Sequence, residues 1–293
     1  MTTSILDLAK KRIVLLDGGF GSELIRHGFA QGDCPEAWNV TKPDIIQAIH
    51  RSYFEAGADA VTANSFGGNP IKLAAHGLER RCYELNKAAA EAANAVKPAS
   101  RFVGGSIGPT GRFLKPQGPF TGPEFEAAFA EQVRGLADGR ADFLIVETQY
   151  DLREALCAVR GARKASSLPV FVTMTFNRVP RGFFTLMGNG VAACLDALEK
   201  EAVPAVGSNC TLDSGEMAAL VKEMRSLTSL PLIAQANAGK PAIAEDGRVV
   251  YSQGLDDYAK HVPEMAANGA NFIGGCCGTD PDYIRRMAEL LKG

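Results

Sequence analysis

Residues 143–175, FLIVETQYDLREALCAVRGARKASSLPVFVTMT, contain one complete repeat of the pattern that decides the fold. A short apolar run, 143–147, is followed by an amphipathic segment, 152–165, and by a second apolar run, 170–175. Short apolar runs are typical of buried strands, and apolar residues at every third or fourth position are typical of helices packed on one face. The stretch therefore predicts a strand, a helix and a parallel strand.

The same alternation extends through the whole chain. The eight predicted strands are Ile13–Leu16, Ala60–Ala63, Phe102–Ser106, Phe143–Glu147, Val170–Thr175, Ala205–Asn209, Leu232–Ala236 and Phe272–Gly275. The predicted helices that follow them are Pro43–Ala56, Arg80–Ala95, Pro123–Ala137, Leu152–Ala165, Val191–Lys200, Gly215–Leu227, Leu255–Asn268 and Pro281–Leu291. Eight such units predict an α/β protein with a (β/α)8 TIM barrel, a single domain over residues 1–293. The alternative is an open doubly wound sheet, but its Gly-x-Gly-x-x-Gly fingerprint is missing after the first strand.

The composition limits the classes of function. The chain has 293 residues, 46% of them hydrophobic and 22% charged, and a net charge of -2. A net charge near zero does not indicate a nucleic-acid-binding protein, which usually carries an excess of basic residues. The chain also has no apolar run long enough to cross a membrane. The N-terminus does not resemble a secretion signal, so we expect a cytoplasmic protein. Seven cysteines in such a chain favour metal binding or catalysis over disulfides.

Unusual residues follow almost every predicted strand. These clusters are Asp17–Gly19, Asn64–Gly68, Gly108–Gly111, Glu147–Thr148, Asn209–Cys210, Asn237–Gly239 and Cys276–Gly278. Active sites of TIM barrels are built at the carboxyl ends of the strands. We therefore expect these clusters to form one ring on one face of the barrel.

Three cysteines in this ring, Cys210, Cys276 and Cys277, predict a metal site. The sixth and eighth strands flank the seventh, so Cys210 can approach the adjacent pair. Neighbouring residues of a regular strand point to opposite faces, so both members of the pair can bind one metal only where the strand ends or bends. The surrounding glycines allow such a bend. The alternatives are buried apolar cysteines and a strained vicinal disulfide between Cys276 and Cys277.

The remaining cysteines and the four histidines lie in or beside predicted helices and loops, so the predicted site contains thiolates alone. Three thiolates on Zn²⁺ leave one coordination position open, which is typical of a catalytic rather than a structural zinc. Three thiolate ligands make the zinc a weak Lewis acid, so it binds a soft ligand such as sulfur better than it activates water. A substrate thiol bound there would lose its proton and stay nucleophilic, so alkyl transfer to sulfur is the expected reaction.

Two carboxylates of the ring, Asp17 and Glu147, are candidates to hold an ammonium group. Each alone could instead cap a helix or pair with a surface arginine. The backbone N–H groups from Gly19 to Ser22 could bind the carboxylate of a substrate, because a glycine turn begins a helix there. Gly19 and Phe20 are the main candidates. Together with a thiol-binding zinc, these groups predict an amino-acid thiol as substrate.

The motifs resemble those of the zinc-dependent homocysteine S-methyltransferases, and the resemblance extends over almost the whole chain. It is carried by 15–19, LLDGG; 64–67, NSFG; 105–111, GSIGPTG; 146–148, VET; 207–210, GSNC; 237–241, NAGKP; and 274–278, GGCCG. The resemblance implies a barrel in which Cys210, Cys276 and Cys277 bind zinc. It also implies that Asp17 and Glu147 hold the amino group of homocysteine, and Asn237 is a further candidate substrate contact.

The methyl donor is less clearly indicated, because it contacts variable loops. The segments 35–39, 174–176 and 237–243 look most like the homocysteine module of cobalamin-dependent methionine synthase. Enzymes that use S-methylmethionine usually carry Arg where this chain has Gly278, and betaine enzymes usually carry Tyr where it has Gly67. Residues 279–293 complete only the eighth helix, and the Asp-x-His-x-x-Gly corrinoid pattern is absent. We therefore expect a methylated corrinoid on a separate protein as donor.

Three alternatives stay open. The donor could be a small onium compound, betaine or S-methylmethionine, that enters directly. The chain could also be a non-catalytic homocysteine-binding subunit of a methyltransferase complex. A barrel lyase or isomerase that binds phosphate at the seventh and eighth strands would need a catalytic lysine or an acid–base pair there, and the sequence has cysteines instead.

Overall fold

Eight parallel strands form the centre of the computed structural model, which describes residues 4–30, 32–243 and 249–292. They are β1 (Val14–Leu15), β2 (Ala60–Thr62), β3 (Phe102–Ile107), β4 (Phe143–Gln149), β5 (Val170–Met174), β6 (Val206–Asn209), β7 (Leu232–Ala236) and β8 (Ala270–Gly275). Hydrogen-bonded neighbours follow the order β1, β8, β7, β6, β5, β4, β3, β2. All eight predicted strands and the predicted barrel are confirmed.

Helices surround the strands. The barrel helices are α1 (Pro43–Glu55), α2 (Cys82–Ala95), α3 (Gly122–Asp138), α4 (Leu152–Ala165), α5 (Val191–Lys200), α6 (Ser214–Leu227), α7 (Leu255–Ala259 and Val262–Ala267) and α8 (Pro281–Lys292). The prediction of one continuous helix over Leu255–Asn268 is wrong. Pro263 lies in the first turn of the second piece, and its ring would clash with the preceding turn of an unbroken helix. None of the described helices is both long and apolar enough to cross a bilayer.

The structure also contains short helices, 3-10 turns and hairpins that were not predicted from the sequence. The short helices are Ile5–Ala9, Phe20–Arg26, Trp38–Thr41 and Pro70–Leu73, and the 3-10 turns are Pro35–Ala37, Ala74–His76 and Glu79–Arg81. Two antiparallel hairpins pair Asn177–Val179 with Gly182–Phe184 and Pro241–Ile243 with Val249–Tyr251. The hairpins follow β5 and β7, so they extend from the carboxyl face of the barrel.

Aromatic side chains close the inside of the barrel. The rings of Phe143 and Phe171 lie 4.9 Å apart, and those of Phe171 and Phe272 lie 5.3 Å apart, measured between centroids. Side chains of a strand that are an even number of positions apart point to the same face. Four positions beyond Phe102 and Phe143 come Ser106 and Glu147. The same inward-facing rows that close the barrel therefore carry polar groups at its carboxyl end.

Carboxylates connect β1 to β2, the two ends of the strand order. The Asp59 N–H donates to the Leu15 carbonyl at 2.7 Å, and the Leu15 N–H donates to the Asp59 carboxylate at 3.0 Å. Arg12 pairs with this fully buried carboxylate at 2.6 Å. Nearer the carboxyl end, the Thr62 N–H donates to Asp17 at 2.7 Å. Asp17 is thus part of the barrel wall as well as of the predicted site.

Candidate metal and substrate site

Three thiols meet at the carboxyl ends of β6 and β8. The sulfur atoms of Cys210, Cys276 and Cys277 lie within 4.8 Å of one another, and those of Cys210 and Cys277 are 3.9 Å apart. All three side chains are half-buried. Within the described ranges this is the group of acidic, histidine or cysteine residues close enough to share a metal ion. The structure thus brings together the three cysteines that the sequence singled out.

Strand β7 holds the two cysteine loops at their separation. The Cys210 N–H donates to the Gln235 carbonyl at 3.1 Å, and the Cys276 N–H donates to the carbonyl of the next residue, Ala236, at 2.8 Å. Two consecutive carbonyls of one strand therefore fix the backbone on both sides of it. The distance between the thiols follows from the spacing of parallel strands.

A tight turn lets adjacent cysteines share one site. Strand β8 ends at Gly275, immediately before the pair. The Thr279 N–H donates to the Cys276 carbonyl at 3.1 Å, and Gly278 has a φ of +82°, which favours glycine. Because the pair lies in this turn rather than in the strand, both side chains can face the other thiol.

The donor atoms fit a zinc ion. The pKa of Cys210 is lowered because the Cys276 and Cys277 thiols donate hydrogen bonds to its sulfur, and the pKa of Cys276 is raised well above its ordinary value by the same interactions. The nearby Asn237 side chain contributes a smaller part of the lowering of the Cys210 pKa, and the buried Oδ1 of Asn237 has no partner among the described residues. Three cysteine sulfurs at this separation are a ligand set that zinc binds well.

Glu147 is held beside the thiols at the end of β4. Its Oε1 accepts a hydrogen bond from the Ser106 hydroxyl at 2.5 Å, and its Oε2 accepts one from the Asn209 amide at 3.2 Å. Burial raises the pKa of Glu147 to about 7. Each oxygen has one donor from the protein and lone pairs left over, so the group can receive an ammonium ion from the cavity that it lines.

Asp17 lies behind the cavity wall rather than in the open cavity. Its carboxylate is 1% exposed and accepts hydrogen bonds from the N–H and hydroxyl of Thr62, while the adjacent Gly18 lines the cavity. Burial, and to a smaller extent the charge of Glu147, raise its pKa to about 7. Asp17 therefore acts on the cavity mainly through its charge and its hold on Thr62.

The helix Phe20–Arg26 begins at the cavity. Gly19 precedes it, and no side chain caps this helix end. The Gly19 N–H itself donates to the carbonyl and hydroxyl oxygens of Thr279, and a Cβ on Gly19 would lie 2.8 Å from the Cys276 carbonyl oxygen. Gly19 thus permits the close approach of two loops. The N–H groups that could meet a carboxylate are those of the first turn, which have no partner within the helix.

The cavity has a volume of about 500 Å³ and two regions. Ser106, Glu147 and the three cysteines form its polar end. The apolar residues of the lining, which we call the apolar arm, are Leu24, Ile25, Phe29, Phe66 and Leu73, and Lys72 and His76 also line the cavity. A thiol-containing amino acid bound at the polar end would leave this arm free for a second reactant.

Two residues of the site, Ser106 and Tyr251, were missed from the sequence, and Asn209 was placed in the predicted ring without a role. Ser106 and Asn209 lie in inward-facing rows of β3 and β6, so the alternation of side chains was a signal that could have identified them. Tyr251 ends the second strand of the hairpin formed by Pro241–Ile243 and Val249–Tyr251, and it lines the cavity beside the thiols. No periodic signal marks Tyr251, because its position depends on how the hairpin folds back over the barrel.

Three thiols that could hold a metal ion and a buried carboxylate line one cavity at the carboxyl ends of the strands, where active sites of TIM-barrel enzymes lie. The chain belongs to the homocysteine S-methyltransferase family, whose model matches residues 14–291. Methionine synthases of Mycobacterium tuberculosis and Mycobacterium leprae are 33% and 32% identical to it over 99% of this chain. The chain spans about a quarter of the length of these relatives, 25% in each case.

Solved structures show the same arrangement of strands and helices. The oxidized and metallated forms of the homocysteine methyltransferase MmuM from Escherichia coli each have a TM-score of 0.80 and 25% sequence identity to this chain. The two matches cover 97% of this chain and 97% and 98% of the respective structures. The likeness therefore extends over the whole barrel of both proteins.

We expect Asp17 to make the metal-free protein less stable as pH rises. Its pKa is raised from 3.8 to about 7, so the folded state holds the proton more tightly than the unfolded chain. The free energy of unfolding therefore falls between about pH 4 and pH 7 and is constant with respect to this group above that range. When the pH is raised from about 4.5 to about 8, the free energy of unfolding of the wild type should fall by on the order of 3 kcal/mol more than that of Asp17→Asn.

Urea unfolding of both proteins at the two pH values measures this effect. The asparagine variant keeps an oxygen for Thr62 but cannot ionise, so it controls for all other titrating groups. Equal pH dependence in the two proteins would show that Asp17 is not a buried carboxylic acid with a raised pKa.

Proposed function

We propose that this protein transfers a methyl group to the sulfur of homocysteine and so forms methionine, with zinc held by Cys210, Cys276 and Cys277. The observation that carries this proposal is the position of the three thiols, which face the same cavity as Glu147. One end of an amino-acid thiol can therefore reach the metal position while its ammonium group reaches a carboxylate.

The residues divide the work as follows. Zinc, when bound, lowers the pKa of a substrate thiol and keeps its sulfur nucleophilic. Glu147, with the charge of Asp17 behind it, holds the ammonium group, and the first turn of the helix Phe20–Arg26 receives the carboxylate. The sulfur attacks the methyl carbon in line, a sulfur–carbon bond forms, and the electrons of the broken bond stay with the donor. The thiol proton goes to solvent.

Holding both ends of homocysteine sets the geometry for this displacement. A substrate fixed by its ammonium and its sulfur presents one lone pair of the sulfur to the apolar arm, where a donor can enter. Proximity and alignment of this kind supply a large part of the rate enhancement in two-substrate reactions. The aromatic layer beneath the site, with Phe143 and Phe171 fully buried, excludes water from the side opposite to the donor.

For the donor, we propose a methylated corrinoid carried by a separate protein. The similarity to methionine synthases supports it, and so do two glycines, Gly67 in the cavity lining and Gly278 next to the cysteine pair. A Cβ at Gly278 would lie 2.4 Å from the ring of Tyr251, and a Cβ at Gly67 would lie 2.9 Å from Glu36 and 3.3 Å from Lys72. An Arg at 278 or a Tyr at 67, as expected of the S-methylmethionine and betaine branches, would have to displace the side chains that now lie against these glycines.

A second candidate is direct transfer from a small onium donor. The likeness to the E. coli homocysteine methyltransferase favours it, because 97% of each chain is covered by the match. In both candidates the homocysteine half of the site is the same, and the donor half differs.

The metal content tests the site. Protein purified without chelators should contain about one zinc per chain, and Cys210→Ala should lose most of it together with methyl transfer, because two thiolates bind zinc much more weakly than three. Cys157→Ala is the matched control, since Cys157 is buried in α4 and should not affect the metal. Elemental analysis and a methionine assay give both readouts. Zinc and activity retained by Cys210→Ala would refute the assignment.

The donor is tested by assaying methionine formation from homocysteine with methylcobalamin, methyltetrahydrofolate, betaine or S-methylmethionine. We expect turnover with methylcobalamin, at least about tenfold faster than with either onium compound, which corresponds to 1.4 kcal/mol of discrimination. Cys210→Ala measures the uncatalysed background. Faster turnover with an onium donor would favour the second candidate, and none with any donor would favour a homocysteine-binding subunit.

A further inference from the structure

The side chain of Asn209 connects the two halves of the homocysteine site. It is fully buried at the end of β6, immediately before Cys210. Its Oδ1 accepts hydrogen bonds from the Thr148 N–H at 2.8 Å and from the Thr173 hydroxyl at 2.9 Å. A backbone N–H can only donate, so these contacts fix which end of the amide is oxygen. The Nδ2 therefore faces the site.

The Nδ2 contacts both the carboxylate and a thiol. It donates to the Thr148 hydroxyl at 2.8 Å and to Oε2 of Glu147 at 3.2 Å, and it lies 3.8 Å from the sulfur of Cys276. One rigid amide is thus shared by the group that receives the ammonium and by one of the three thiols. Its own backbone leads directly into Cys210, a second thiol.

The backbone that Asn209 holds has an unusual conformation. Thr148 has a φ of +57°, in the left-handed region that a β-branched residue rarely adopts. The register between β4 and β5 shifts between Val146 and Gln149, so the strand bulges at Glu147 and Thr148. Bulges re-aim side chains, and a strained residue persists only where its surroundings hold it in place. Two hydrogen bonds from Asn209 hold Thr148.

We infer that Asn209 is a positioning residue that locks this bulge and so aims Glu147 at the cavity beside the thiols. It thereby sets the distance between the ammonium and sulfur positions and selects thiols that carry an amino group over simple thiols. This inference rests on the proposed function, in which Glu147 receives the ammonium group of homocysteine.

The test compares Asn209→Ala with the wild type for two ligands. These are homocysteine and 4-sulfanylbutanoate, which has the same thiol and carboxylate but no amino group. Binding is followed on cobalt(II)-substituted protein by the thiolate-to-cobalt absorption. We expect the affinity for homocysteine to fall about tenfold and that for 4-sulfanylbutanoate to change less than about threefold, because only the ammonium contact is lost.

Asn94→Ala is the matched control. Asn94 also donates its amide to backbone carbonyls, those of Ala90, Gly139 and Arg140, but it lies between α2 and the end of α3, away from the thiols. This variant should bind both ligands like the wild type. Equal losses of affinity for the two thiols in Asn209→Ala, or no loss for homocysteine, would overturn the inference.

A second readout needs neither metal nor ligand. In the metal-free protein, the Thr148 amide should exchange with solvent hydrogen at least about tenfold faster in Asn209→Ala than in the wild type, because its hydrogen bond is gone. Asn209→Asp keeps the acceptor oxygen, so it should restore protection of this amide. Unchanged exchange in Asn209→Ala, or no rescue by aspartate, would also overturn the inference.

The two proposals fail in different ways. If the wild type itself does not bind homocysteine, the proposed function is wrong and this inference falls with it. If the wild type binds homocysteine and Asn209→Ala binds it equally well, only the role of Asn209 is refuted.

Discussion

The hydrogen bonds that β7 makes to the ends of β6 and β8 are the constraint on which the site depends. Consecutive carbonyls, those of Gln235 and Ala236, accept from the N–H groups of Cys210 and Cys276. Because neighbouring parallel strands are separated by a fixed distance, this arrangement leaves little freedom in the spacing of the thiols. The spacing of the thiols, and with it the proposed metal site, is thus set by the backbone geometry of three strands.

The second constraint on the site is the apolar layer of phenylalanine side chains inside the barrel, beneath Glu147. The buried phenylalanine layer places Glu147 at the edge of an apolar region, and burial is the largest cause of the rise of its pKa to about 7. A carboxylate that is costly to ionise gains most from an ammonium partner. The same low polarity that disfavours the free site therefore favours the site with homocysteine in it.

Much of this could be predicted from the sequence, and the limits have physical causes. All eight strands and the three cysteines were found because burial imposes a period on each element and because active sites of barrels lie at strand ends. The break in α7 was missed although Pro263 signals it. The roles of Asn209 and Tyr251 depend on contacts between residues far apart in sequence, one through a strand bulge and one through a hairpin. No local pattern encodes such contacts.

X-ray absorption at the zinc edge, recorded with and without homocysteine, tests most directly whether the three thiols present an open position to the substrate's sulfur. We expect about three sulfur neighbours at about 2.3 Å in the free protein and about four when homocysteine is bound. A sulfur count that does not rise on addition of homocysteine, under conditions where binding is saturated, would contradict the central proposal that the substrate's sulfur is held at this site.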